Sequence, residues 1–216
     1  PNLVVAYQNQ SATYQLADGM LDMNPLVDSP KWGLTEEDKA DFFPGFYGQD
    51  VFSIYGGARL GFPPNRSIEV LYYNADWLAE LGYDAPPTTP EEFKEIACAA
   101  SAQPFSGATT EGNVGYEFSN DASTIASFAF ARGGNMFDYN TSQYTYNSDE
   151  AVVSMELLQD MFDEGCATLE VENYGDQTDF GAGYTLFTIS SSSGLPYYQS
   201  AVEEGANFAW GVAPIP

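Results

Sequence analysis

The side chains that carry most enzyme chemistry are scarce in this chain. It contains no histidine, so the usual general base near pH 7 is missing and Ser-His and Cys-His nucleophilic pairs are excluded. Two cysteines without a histidine cannot complete an ordinary zinc site. Pairs of carboxylates could still perform acid–base catalysis, but among 31 acidic residues some pair always exists. We therefore expect no catalytic residue, no metal and no cofactor.

The two cysteines, Cys98 and Cys166, lie far apart in the sequence and do not form a CxxC motif. An even number of cysteines is typical of a disulfide formed in an oxidising compartment. The alternative is a pair of buried free thiols. We favour the disulfide.

The charge of the chain is strongly negative. Its 31 acidic and six basic residues give a formal net charge of −25. Binding to the phosphate backbone of nucleic acids requires clustered lysine and arginine, so nucleic acid is excluded as a partner. Acidic runs such as TEEDKAD are expected to be solvated surface, because high net charge of one sign favours solubility.

Apolar runs alternate with helical patterns along the chain, and this alternation predicts an α/β fold. Strands are predicted in LVVAY at 3–7, SIEVLYY at about 68–73, TLFTI at 185–189 and FAWGVA at 208–213. Between VFSIY and ARLGF, Gly56 and Gly57 indicate a β-hairpin. The strand at 68–73 is followed at once by a predicted helix at 75–81.

Capping residues predict where the helices begin. The N-caps are Asn74, Thr89, either Asn120 or Asp121, and Ser148. In TTPEEF, Pro90 takes the first helical position and Glu92 is expected to complete a capping box with Thr89. These helices must position any polar side chains that follow the strands.

Four stretches, in order, resemble the extracytoplasmic solute-binding proteins of ABC importers, in the family 1, maltose-binding-protein-like sugar-binding group. They are PNLVVAYQNQSATYQLADGMLDMNPLV, GFPPNRSIEVLYYNADWLAELGYDAPPTTPEEF, FARGGNMFD, and AGYTLFTISSSSGLPYY together with WGVAPIP. Two departures stand out: TTPEEF lacks the usual tryptophan of the family, and SSSSGLPYY replaces its Asn-Gly turn.

The resemblance implies a periplasmic-binding-protein-like fold of two α/β lobes. Members of the family are roughly twice as long, so we expect this chain to be a fragment covering part of lobe one and most of lobe two. Residues 1–66 would be the partial first lobe and hinge approach, and residues 67–216 most of the second lobe. The hinge would lie near 63–67.

The resemblance also implies which loops line the ligand cleft, because open α/β sheets bind ligands at strand ends. The implied ligand-binding residues are Tyr7, Gln8, Asn9, Asn65, Arg66, Ser67, Asp121, Ser123, Ser191, Ser192, Ser193, Gly194 and Tyr197. Amides and carboxylates would contact sugar hydroxyls, and serines before a helix offer hydroxyls and free backbone N–H groups. Tyr197 and Tyr198 are candidates for stacking on a sugar ring; Trp210 is a third, but its position in an apolar strand favours a place in the core.

The expected function is capture of a carbohydrate between the two lobes for import, with a membrane permease as partner. The protein would act outside the cytoplasm, in the periplasm or as a lipid-anchored lipoprotein at the cell surface. The first alternative is a glycerol-phosphate or related phosphodiester ligand, for which Arg66 would be the donor. The second alternative belongs to another class, a secreted carbohydrate-active enzyme or lectin-like module.

Overall fold

The computed structural model describes residues 2–62 and 65–216, and the chain divides into two units, Pro1–Arg66 and Ser67–Pro216. The division falls between residues 66 and 67, where the sequence placed the domain boundary. The proposed hinge includes Pro63 and Pro64, which lie outside the described residues. That the two units are parts of a first and a second lobe stays a prediction.

The first unit consists of short elements. Its described part contains α1 (Gln8–Leu16), α2 (Asn24–Val27), α3 (Glu36–Asp41), α4 (Pro44–Gly48), β1 (Val51–Phe52) and β2 (Ala58–Arg59). The predicted hairpin is confirmed, because β1 and β2 pair antiparallel and Gly56 and Gly57 have positive φ. Its connection is longer than two residues, since a 3₁₀ turn at Ser53–Tyr55 precedes the glycines.

The strand predicted at 3–7 is wrong. Residues 3–7 adopt no regular structure, and the side chains of Leu3 and Val5 are 89% and 97% exposed. An apolar run becomes a strand only where a neighbouring backbone accepts its hydrogen bonds. Among the described residues, no strand pairs with this segment.

The second unit alternates strands and helices, as predicted. Its described elements are β3 (Glu69–Asn74), α5 (Ala75–Glu80), α6 (Pro90–Ala102), β4 (Val114–Phe118), α7 (Ala122–Ala131), β5 (Phe137–Asp138), β6 (Gln143–Tyr144), α8 (Asp149–Asp163), β7 (Ala167–Leu169), α9 (Gly175–Gly181), β8 (Thr185–Ser191), α10 (Leu195–Glu204) and β9 (Trp210–Ala213). None of the helices in the described residues is both long and apolar enough to cross a bilayer.

A mixed sheet in the order β7-β4-β8-β3-β9 forms the centre of this unit. β4 runs parallel to β7 and β8, whereas β3 runs antiparallel to β8 and β9. Helices cover both faces. On one face Phe93 of α6 packs against Tyr116 and Phe187, and on the other Phe180 of α9 packs against Tyr72. The sequence predicted this α/β layering.

The predicted caps begin the helices of this unit. The side chains of Asn74, Thr89, Asp121 and Ser148 accept hydrogen bonds from backbone N–H groups in the first turns of α5, α6, α7 and α8. The capping box at α6 differs in one detail, because the Glu92 carboxylate accepts from Thr88 rather than from Thr89.

A disulfide joins Cys98 of α6 to Cys166, which directly precedes β7, with the two Cα atoms 4.5 Å apart. This is the pairing favoured from the sequence. A second close contact fixes α6 on the sheet, since a Cβ at Gly115 of β4 would lie 1.8 Å from the Ala97 carbonyl oxygen. The bond and the close approach hold α6, β4 and β7 together.

Candidate ligand-binding edge of the second-unit sheet

One edge of the sheet collects most of the polar residues that the sequence singled out in the second unit. Since β4 and β8 are parallel, their carboxyl ends meet at this edge. β3 is antiparallel and begins there, with Glu69 opposite Ser191. Asp121 and Ser123 follow β4, and Ser67 lies just before β3. The end of β8 leads into a turn of Ser191, Ser192, Ser193 and Gly194, called here the serine turn.

Hydrogen bonds within the protein fix the serine turn. The Ile68 N–H donates to the Ser192 hydroxyl at 3.1 Å, and the Ser192 N–H donates to the Ile68 carbonyl at 2.8 Å. The hydroxyls of Ser191 and Ser193 lie 2.9 Å apart, and the Ser193 N–H donates to Ser191 Oγ. Ser192 therefore positions the turn, while the hydroxyls of Ser191 and Ser193 bond to each other and keep further hydrogen-bonding capacity.

The residues after the serine turn have different roles. Gly194 is buried because the Tyr198 ring packs against it, so that a Cβ there would lie 3.0 Å from the ring. Tyr197, in the first turn of α10, is 66% exposed. Tyr198 is fully buried and stacks on Tyr72, which makes its prediction as a ligand-stacking residue wrong: burial in the core leaves no ring face for a sugar.

Glu69, which the sequence analysis missed, joins this edge. Ser123 and Asp121 are the two polar residues that act on the Glu69 carboxylate. Burial raises the pKa of Glu69, the Ser123 hydrogen bond lowers it, and the charge of Asp121 raises it further. A glutamate at the first position of an apolar strand was the available signal.

Asp121 has two connections at this edge. It caps α7, and its carboxylate accepts the Ser123 N–H at 3.4 Å. The alternative N-cap candidate, Asn120, is exposed and does not cap α7. The edge thus presents a half-buried carboxylate, an exposed capping carboxylate and several hydroxyls.

In its described part, this edge has no basic side chain. The second unit contains only Lys94 and Arg132. Lys94 pairs with Asp160 of α8 and with Glu164, the C-cap of that helix. Arg132 lies at the far end of α7 from Asp121, where it donates to the Phe128 carbonyl. The described part of this edge thus presents hydrogen-bond acceptors and hydroxyls.

In the first unit, the predicted ligand residues lie in different surroundings from those expected. Tyr7 is the N-cap of α1, and its N–H donates to the Gln10 side chain at 2.9 Å. Gln8 and Asn9 form the first turn of this helix, instead of a loop after a strand, because residues 3–7 pair with no strand. Asn65 is exposed. Whether Tyr7, Gln8, Asn9 and Asn65 touch a ligand stays a prediction.

Arg66 forms an ion pair within its own unit. Its Nη2 atom lies 2.5 Å from Oδ2 of Asp50, which is buried. The guanidinium is therefore neutralised by a protein carboxylate.

No arrangement of side chains in the described residues offers an ordinary metal site. The single group of potential ligands that lie close together is Cys98, Cys166 and Glu164. Both sulfurs are in the disulfide, so neither is available as a thiolate ligand.

The fold is that of the two-lobed solute-binding proteins of ABC importers, of which the chain covers about half. The resemblance inferred from the sequence is confirmed, although no family model matches the chain. Among curated relatives, the sn-glycerol-3-phosphate-binding periplasmic protein UgpB of Escherichia coli K12 is 25% identical over 221 residues, covering the whole of this chain and 48% of the relative.

Two solved structures show the same fold. UgpB from Mycobacterium tuberculosis in complex with glycerophosphocholine superposes with a TM-score of 0.76 at 18% identity, over 95% of this chain and 50% of that one. The sugar-binding protein MalE from Xanthomonas citri superposes with a TM-score of 0.73 at 20% identity, over 97% and 51%. The chain spans about half the length of the relatives it matches.

Proposed function

We propose that this chain is part of the solute-binding component of an ABC importer that captures a neutral carbohydrate between two lobes. The closed, loaded form would be presented to a membrane permease. The protein would work outside the cytoplasm, in the periplasm or anchored by lipid at the cell surface. The fold and the relatives support the class of protein, and the chemistry of the sheet edge supports the class of ligand.

The observation that carries the ligand class is the absence of a free positive charge at the described sheet edge. Glu69 and Asp121 are acceptors, and Ser123 offers a hydroxyl beside them. Sugar hydroxyls donate well to carboxylates, whereas a phosphate would be repelled by them. In the first unit, the Arg66 guanidinium is already neutralised by Asp50.

A glycerol-phosphate or phosphodiester ligand is the second candidate. The observation in its favour is that UgpB proteins are among both the curated relatives and the solved structures that resemble this chain. Such a ligand would need a cation that the described second-unit edge lacks. Arg66 has N–H donors besides the one bound to Asp50, but the Asp50 carboxylate offsets its positive charge.

An enzymatic or lectin-like function is the candidate from another class. The named relatives are binding proteins rather than enzymes. We propose that this protein likewise catalyses no reaction. Incubation of the full-length protein with a panel of glycans, followed by product analysis, is expected to show no cleavage.

Calorimetry on the full two-lobed protein tests the ligand class. Glycerol phosphate and a panel of mono- and disaccharides are titrated into wild type, Arg66→Ala and Lys31→Ala, which removes an equal charge at an exposed site. We expect a saccharide to bind, with both variants within about threefold of wild type, since Arg66 acts on Asp50 rather than on the ligand. Thermal melts establish that Arg66→Ala is folded at the assay temperature.

The second candidate would be established if only glycerol phosphate bound, and if its affinity fell by about 30-fold or more in Arg66→Ala but not in Lys31→Ala. A saccharide whose affinity falls by that factor in Arg66→Ala would place Arg66 in the site and contradict its structural role.

A further inference from the structure

A carboxyl group is buried in the middle of the second-unit sheet. Glu117 lies on β4, between Thr168 of β7 and Thr188 of β8. It is 2% exposed, and its Oε2 atom is buried without a hydrogen-bond partner. A buried polar atom of this kind requires a partner, because its desolvation is otherwise uncompensated.

A second carboxyl group acts on Glu117 from the helix that covers this face of the sheet. Helix α9 lies on this face, since its Asp176 carboxylate accepts from the Thr188 hydroxyl of β8, and the charge of Asp179, also on α9, acts on Glu117. Both groups are acceptors when ionised, so a hydrogen bond between them requires a proton. Two neighbouring carboxyl groups of this kind can share one proton.

The surroundings add negative charge. Asp176, also on α9 and 2% exposed, accepts hydrogen bonds from the hydroxyls of Thr188 and Tyr198. Glu170, in the segment between β7 and α9, accepts the Gly175 N–H at 3.0 Å. The charges of both residues act on Glu117.

No base compensates these acids in the described part of the unit. Of the two basic side chains, Lys94 forms ion pairs with Asp160 and Glu164, and Arg132 donates to the Phe128 carbonyl in α7. Burial, followed by the charges of Asp179 and Asp176, raises the pKa of Glu117 to about 8. Burial also raises the pKa of Asp179.

We propose that Glu117 and Asp179 form a proton-binding site that clamps α9 to the sheet and makes the stability of residues 67–216 depend on pH near neutrality. The shared proton is the ligand, and the folded chain holds it more tightly than the unfolded chain does. Losing it leaves the buried Glu117 carboxylate and the half-buried Asp179 carboxylate both charged, and they repel each other.

The direction of the effect follows from linkage. Between the ordinary glutamate pKa and the raised value of Glu117, the folded state binds more protons than the unfolded state. The stability supplied by the pair is therefore complete below the ordinary glutamate pKa and is lost progressively as pH rises from there to about 8. Helix α9 packs against β8 and α10, which meet at the serine turn, so a loosened α9 also weakens the support of the sheet edge.

Thermal unfolding of the full protein tests this site. Wild type, Glu117→Gln and Glu111→Gln are compared at pH 5.5, 7.0 and 8.5; Glu111 is an exposed glutamate in the loop before β4. The amide of Glu117→Gln donates to Asp179 without a titrating proton. We expect the Tm of Glu117→Gln minus that of wild type to rise by at least about 5 °C between pH 5.5 and 8.5.

The control Glu111→Gln is expected to keep a constant Tm difference from wild type across the same range. A pH-independent difference for Glu117→Gln, within about 1 °C, would overturn the proposal. Should Glu117→Gln fail to fold, carboxyl ¹³C NMR of the wild type decides. A Glu117 midpoint above about 6.5, lowered in Asp179→Asn, supports the site, and a midpoint near the ordinary value of about 4.3 overturns it.

Discussion

Tyr72 of β3 stacks on Tyr198 of α10, with ring centroids 3.9 Å apart and planes inclined by 22°. The Tyr72 hydroxyl donates to the Ser191 carbonyl at 2.8 Å, and the Tyr198 hydroxyl donates to the buried Asp176 carboxylate. The pair therefore connects the serine turn at the candidate site to Asp176 on α9. Both tyrosines are buried in the core and support the serine turn from there.

Removing the Tyr198 hydroxyl should destabilise the second unit. In Tyr198→Phe the ring stack survives, but Asp176 keeps only the Thr188 hydroxyl as a side-chain donor. A hydrogen bond to a charged, buried group contributes about 1.5–3 kcal/mol. We expect a loss of that size in the free energy of unfolding, measured by urea denaturation.

The neighbouring tyrosine is the matched control for this experiment. Tyr197 is exposed, so Tyr197→Phe should change the free energy of unfolding by less than about 0.5 kcal/mol. Equal effects of the two substitutions would show that the Tyr198–Asp176 hydrogen bond is not a main source of stability.

Local signals predicted much of this unit. The Thr89-Pro90 start of α6 and the Ser148 cap of α8 are confirmed, because capping depends on a few neighbouring residues. Helical spacing predicts that α6 buries Phe93, Ile96, Ala97 and Ala100, and all four are buried. The same spacing predicts a face of α8 that includes Met155, but Met155 is 38% exposed and Met161 is buried instead, because the packing of the sheet selects the face.

Elements that depend on contacts with residues far away in the sequence could not be predicted. The sequence patterns indicated neither β4, nor β7, nor α9. β4 is buried on both faces and contains Glu117, so it shows neither alternation nor a purely apolar run. Glu69 was missed as a site residue because its neighbours come from across the chain; the adjacent Ile68–Ser192 hydrogen bond spans 124 residues.

The disulfide should be a main source of stability. It joins α6 to the segment before β7 across a sequence separation of 68 residues. A loop of this length contributes roughly 4 kcal/mol in the chain-entropy model. We expect Cys98→Ala/Cys166→Ala to lower the free energy of unfolding by about 2–4 kcal/mol relative to the oxidised wild type.

Reduced wild type is the control that separates the bond from the substitutions. Wild type in dithiothreitol should unfold close to the double variant. A reduced protein as stable as the oxidised one would mean that helix packing alone holds α6 in place.

The last prediction concerns Glu69 and rests on the proposed carbohydrate ligand. A half-buried carboxylate beside Ser123 is a strong acceptor for a sugar hydroxyl. Glu69→Gln should therefore weaken saccharide binding by about tenfold or more, as expected for the loss of a hydrogen bond to a charged group.

Because burial raises the pKa of Glu69, wild-type affinity should fall as pH drops through that raised value, and Glu69→Gln should lack this dependence. Glu111→Gln, at the opposite edge of the sheet, should bind like wild type. Calorimetry between pH 4.5 and 7.5 measures all three proteins, and wild-type affinity in Glu69→Gln would remove Glu69 from the site.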